Sequence, residues 1–155
     1  MERRVALTAL AGLVLGAPLA ARAAATHRPP HSDAEWRAML SPAAYHVLRQ
    51  GGTEPAFSSP LVAEHRAGTY ACAGCRRPLF SSKTKYDAHT GYPSFRAALP
   101  GAITTTARAH GKPYAPVHCA RCDSHVGRLY RDGPKSADSH YSMNGIALAF
   151  LPSTA

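Results

Sequence analysis

The 155-residue sequence predicts a mainly β domain behind a short helical N-terminal arm. Three observations predict it. The chain carries 13 Pro and 12 Gly with only 17% charged residues, a composition of short strands and turns rather than of a helical bundle. From about Gly68 onward, short β-prone runs alternate with turn signals. Four cysteines stand in two C-x-x-C pairs, one early in that stretch and one late. The length suits one domain with its own core, and the 45% hydrophobic content argues against disorder. A multi-domain enzyme and a polytopic transporter are both excluded by length.

The first element in chain order is a targeting segment. Glu2-Arg3-Arg4 precedes an apolar run from Val5 to Ala21, broken by Thr8, Gly12, Gly16 and Pro18, and Ala23-Ala24-Ala25 follows. A basic start, a short apolar stretch and a small-residue exit form a secretory signal, placed at 1–25. The run falls short of the ~20 clean apolar residues of a membrane-spanning helix. The paired arginines fit twin-arginine export, and an uncleaved membrane tether is the alternative. The expectation is an exported, periplasmic protein. Cleavage would take Glu2, Arg3, Arg4 and Arg22 with it and lower the formal net charge from +9.

Residues 26–32 read as a Pro-containing linker, and the folded domain as 33–152. Ser32-Asp33-Ala34-Glu35 is a capping box, with Trp36, Met39 and Leu40 on one helical face. Ser41-Pro42 opens a second short helix that Gly51-Gly52 closes. Trp36, Leu40 and Phe57 are expected to pack the arm. Strands are expected at Thr69–Ala71, Ile103–Thr106, His125–Tyr130 and Ile146–Phe150. Turns are expected at Ala73-Gly74, Pro100-Gly101, Asp132-Gly133-Pro134 and Asn144-Gly145.

Cys72-Ala73-Gly74-Cys75 and Cys119-Ala120-Arg121-Cys122 carry the strongest chemical signal. Two thiolates at C-x-x-C spacing bite one metal from a tight turn, and two such turns complete a closed tetrahedral zinc site. Two disulfides are the alternative in an oxidising compartment. A thioredoxin-type redox pair lacks the flanking β-α-β pattern. Zinc on four thiolates would lower the positive charge further. With no long Lys/Arg run, the balance points away from nucleic acid as a partner.

The order of motifs resembles the methionine-R-sulfoxide reductase B family (peptide-methionine (R)-S-oxide reductase). The resemblance spans Trp36 to Phe150. It is carried by Gly52-Thr53-Glu54, Tyr70-Ala71-Cys72-Ala73-Gly74-Cys75, and Pro78-Leu79-Phe80-Ser81-Ser82-Lys83-Thr84-Lys85-Tyr86-Asp87. It continues through Gly91-Tyr92-Pro93-Ser94-Phe95, Cys119-Ala120-Arg121-Cys122-Asp123-Ser124-His125-Val126-Gly127 and Tyr141-Ser142-Met143-Asn144. The resemblance implies two antiparallel sheets in a barrel-like fold, a structural zinc staple of Cys72, Cys75, Cys119 and Cys122, and a basin for oxidised methionine in proteins or a peptide ligand. A thioredoxin-like reductant is implied only for an active member, and a monomer is expected.

The resemblance also implies a site that this sequence alters. The family's nucleophilic Cys falls on Ser142, its acid-catalyst His on Arg128, and the Arg before its Tyr-Cys on His140. Its substrate-packing Trp falls on Tyr92, and a frequent recycling Cys on Thr90. His125, Asp132 and Asn144 match. Family chemistry needs a thiolate that takes the sulfoxide oxygen and becomes a sulfenic acid. A serine hydroxyl cannot do so, so an inactive or repurposed homologue is the expectation. Three alternatives stand beside it. One is a working reductase that uses another thiol. Another is a hydrolytic set of Ser142, a His and Asp132. The last is a three-His metal site of His89, His125 and His140.

Overall fold

A computed structural model describes residues 31–108, 110–131 and 139–154. The 1–25 segment, most of the 26–32 linker, and Asp132 with its turn lie outside the described residues. Helix α1 (Asp33–Met39) starts at Ser32, whose side chain caps Glu35 N–H while the Glu35 carboxylate accepts from Ser32 N–H. Helix α2 (Pro42–Gln50) is capped by Ser41 Oγ and ends at Gly51, which takes φ +71° where a side chain would be strained. Both match the reading of the sequence. Among the described residues no helix is long and apolar enough to cross a membrane.

Among the described residues nine strands follow: β1 (Gly68–Cys72), β2 (Pro78–Ser81), β3 (Lys85–Tyr86), β4 (Ser94–Phe95), β5 (Ile103–Thr105), β6 (Tyr114–Cys119), β7 (His125–Arg131), β8 (Ser139–Met143) and β9 (Leu148–Pro152). They form two antiparallel sheets, as expected. One has three strands in the order β2-β1-β9, the other six in the order β3-β4-β8-β7-β6-β5. Aromatic side chains join them. Phe80 of β2 stacks on Phe95 of β4 at 4.5 Å between ring centroids, and Tyr70 of β1 meets Phe95 edge-on at 4.9 Å. Trp36 and Leu48 bring the helical arm into the same core.

Two local expectations are corrected. Phe57 lies 72% exposed in a left-handed backbone conformation and does not pack the arm. The last strand starts at Leu148, not Ile146, because Gly145–Ala147 winds into a 3-10 turn after Asn144.

Candidate functional site

Two sites take shape, a sulfur cluster and a basin. The two C-x-x-C turns have the same local build. In each, the residue after the second Cys adopts a left-handed conformation: Arg76 at φ +61° and Asp123 at φ +56°. In each, that residue donates to the first Cys carbonyl, Arg76 N–H to Cys72 at 2.8 Å and Asp123 N–H to Cys119 at 2.9 Å. The first Cys N–H donates forward in both, to Arg77 and to Ser124. Each turn therefore aims two sulfurs the same way.

All four sulfurs lie within 4.8 Å of one another, with Cys72–Cys122 at 3.7 Å and Cys75–Cys119 at 3.6 Å. A disulfide needs about 2.05 Å, so the four are unbridged. A tetrahedral ion with four thiolate bonds of about 2.3 Å spaces its sulfurs about 3.8 Å apart, and the cluster fits one. Among the sulfurs themselves, hydrogen bonds with Cys119 and Cys122 push the Cys72 thiol up, while those with Cys119 and Cys72 draw Cys122 down. Burial pushes Cys75 up to about 12. The arm is fastened here: Arg49 donates to Cys122 O and Ser124 Oγ, and a Cβ on Gly74 would lie 3.2 Å from the Trp36 ring.

The basin is built on the β7–β8 pair. Arg128 opposes Ser142 and Tyr130 opposes His140. Side chains two apart on a strand share a face, so all four line one cavity of about 280 Å³. The Tyr130 and His140 rings stack at 5.2 Å. Gly127 must lack a side chain, since a Cβ would fall 2.4 Å from Ser142 O. Thr53, Thr90, Tyr92 and Asn144 complete the wall.

A Thr53-Glu54 rib holds these parts in register. Arg128 donates to Thr53 Oγ1 at 2.6 Å, with its guanidinium 4.4 Å over the Tyr114 ring. Tyr92 OH donates to Glu54 O at 3.0 Å, and Glu54 N–H to Asn144 Oδ1 at 3.1 Å. The Glu54 carboxylate accepts from Gly145 N–H and Ile146 N–H. Thr53, Glu54, Gly127 and Tyr130 were not singled out as site residues from the sequence. Gly52-Thr53-Glu54 was the available signal, as a matched motif without a role.

The structure thus brings Tyr92, Arg128, His140, Ser142 and Asn144 together. His125 does not line the basin: it is 7% exposed and lines an adjoining cavity with His118, Asp123 and Arg128, the last of which borders both cavities. Its Nε2 is buried without a hydrogen-bond partner. Burial first, then the His118 and Arg128 charges, push His125 down to about 4. His89 points into solvent beside Asp87. The three-His metal arrangement is therefore corrected: among the described residues, the group of three or more metal-ligating side chains drawn together is the four cysteines. For the hydrolytic set, His140 and Ser142 share a face, and Asp132 lies outside the described residues.

Comparison with known proteins agrees with this architecture. The SelR domain model matches residues 40–152. A peptide methionine sulfoxide reductase MsrB of Thiobacillus denitrificans is 43% identical over 125 residues, covering 79% of this chain and 95% of that one. The MsrB of Agrobacterium fabrum is 42% identical over 78% of this chain and 91% of its own length. That of Pseudomonas putida strain W619 is 44% identical over 76% and 90%.

Proposed function

The chain belongs to the SelR family, that of the peptide methionine-R-sulfoxide reductases, and from that membership we propose that its basin holds oxidised methionine in a polypeptide without reducing it. The family acts on oxidised methionine in proteins. Its chemistry runs through a thiolate that attacks the sulfoxide sulfur, accepts the oxygen as a sulfenic acid and is returned by a second thiol. The observation that carries the reading is the location of sulfur. The chain has four cysteines, and all four sit in one cluster while none lines the basin. Ser142 occupies the basin wall in their place, opposite Arg128. A serine hydroxyl and a permanently charged guanidinium donate hydrogen bonds to an S–O oxygen, and neither takes the oxygen away.

The test is reduction of N-acetyl-methionine-R-sulfoxide amide with dithiothreitol. The wild-type protein is expected to give no turnover, and clear turnover abolished by Ser142→Ala overturns the reading. Ser142→Cys, alone and with Arg128→His, is expected to gain activity, because the basin still admits the sulfoxide. A folded double variant without activity counts against sulfoxide binding.

The cluster is read as a structural Zn²⁺ site. The four-thiolate donor set, the sulfur spacing and the closed geometry support it. One zinc per chain with all thiols protected is the expected result. A reductase working through a cluster thiol would show substoichiometric zinc and a thiol that alkylates in the native protein. The N-terminal basic-apolar-small pattern supports export to the periplasm.

A further inference from the structure

We propose that an apolar groove beside the basin is a second subsite for the same polypeptide, taking an apolar side chain one or two residues from the oxidised methionine. This rests on the reading of the basin as an oxidised-methionine site. The groove measures about 580 Å³ and is walled by Val47, Pro55, Leu61, Ile146 and Phe150. That volume falls in the ordinary range of ligand sites, roughly 300–1,000 Å³.

Continuity with the basin identifies the occupant. Thr53 lines both cavities, and the neighbours Asn144 and Gly145 line one each. Consecutive residues stand about 3.8 Å apart. An extended peptide advances about 3.3 Å per residue, so a chain with its methionine in the basin carries its next same-face side chain over the groove. The dividing rib is rigid, since Glu54 is tied by its N–H, its carbonyl and both carboxylate oxygens. Phe57 adds an exposed apolar ring two residues along from Pro55 of the groove. Its N–H donates to Gly91 O, and its ring lies against Gly91, next to Tyr92.

The groove also selects by charge. Glu54 and His46 are its titratable residues. The Glu54 carboxylate is engaged by two backbone N–H groups, and His46 Nδ1 lies 3.1 Å from Gln50 Oε1. A charged flanking residue would lose water there against a mostly apolar wall.

The experiment measures binding of blocked pentapeptides with a central methionine-R-sulfoxide and either Leu or Asp at all four flanking positions. N-acetyl-methionine-R-sulfoxide amide reads the basin alone. The wild-type chain is expected to bind the Leu peptide about tenfold or more tightly than the Asp peptide, as burial of one aliphatic side chain allows. Leu61→Ala, and Ala43→Lys at an exposed groove position on α2, are expected to collapse that ratio while leaving the amide's affinity unchanged. Equal wild-type affinities, or a ratio both variants preserve, overturn the groove while amide binding keeps the basin. Peptides that bind no better oxidised than unoxidised overturn the basin reading and this inference with it.

Discussion

Glu54 is almost fully buried, with its carboxylate on the main-chain donors of Gly145 and Ile146 and its own main chain on Asn144 and Tyr92. Glu54→Ala strands the buried Gly145 N–H and the half-buried Ile146 N–H and is expected to cost about 2–4 kcal/mol in urea unfolding. Glu54→Gln keeps an acceptor and should cost clearly less. His125 gives a pH dependence. Its folded pKa of about 4 lies below the ordinary 6.5. As pH falls through about 6.5, the unfolded chain takes up a proton that the folded chain refuses until about 4. Stability from this group is therefore complete above about pH 6.5 and lost on acidification to about 4. Between pH 7.5 and 5 the loss is about 2 kcal/mol, and His125→Gln should show a correspondingly smaller loss between the same two pH values. Equal losses would show that the buried ring is not responsible.

At the scale of elements, the β7–β8 pair decides whether the basin exists. Gly127 lies against Ser142 O and Met143 Cε with no room for a methyl group. Gly127→Ala is expected to push the two strands apart, cost about 1–3 kcal/mol, and weaken sulfoxide binding by displacing Ser142 from Arg128. Unchanged stability and affinity would contradict that geometry. The two helices were legible because their caps are local signals, Ser32 with Glu35 and Ser41 with Pro42. Strand β6 was not, because Pro116 reads as a strand breaker. It is tolerated because Pro116 turns its main-chain polar groups toward the end of β5: its carbonyl accepts from Thr106 N–H, and β5 stops at Thr105, so the missing N–H falls where that ladder ends. Strands β3 and β4 have two residues each, too few for any alternation to show. Tyr92, Arg128, His140, Ser142 and Asn144 were legible by resemblance; strand register sets Arg128, His140 and Ser142 on one face, and Tyr92 and Asn144 line the same cavity. Thr53 and Glu54 were hidden, since their role depends on contacts up to 92 residues away in sequence.

The whole molecule converges on the sulfur cluster. Cys72 ends β1 of the three-stranded sheet and Cys119 ends β6 of the six-stranded sheet, so one ion would join the two. The helical arm leans on the same point through Trp36 against Gly74 and Arg49 on Cys122 O. A structural zinc in a small four-ligand site contributes about 10–16 kcal/mol of apparent binding energy in peptide systems. Whole domains are stable by about 5–15 kcal/mol, so the metal-free chain should stand at or below the folding threshold. Chelation is expected to lower the Tm by more than about 10 °C, since each 1 kcal/mol moves it by about 2–8 °C for domains of this size range. The transition should take the arm and both sheets together, and all four thiols should become open to alkylation. Re-addition of one equivalent of zinc should reverse all of these. The Cys122→Ser variant should resemble the chelated protein even with zinc in excess, because loss of one ligand opens the closed site. A chelated protein with an unchanged Tm and protected thiols would mean that packing alone closes the cluster, and that these cysteines hold no structural metal.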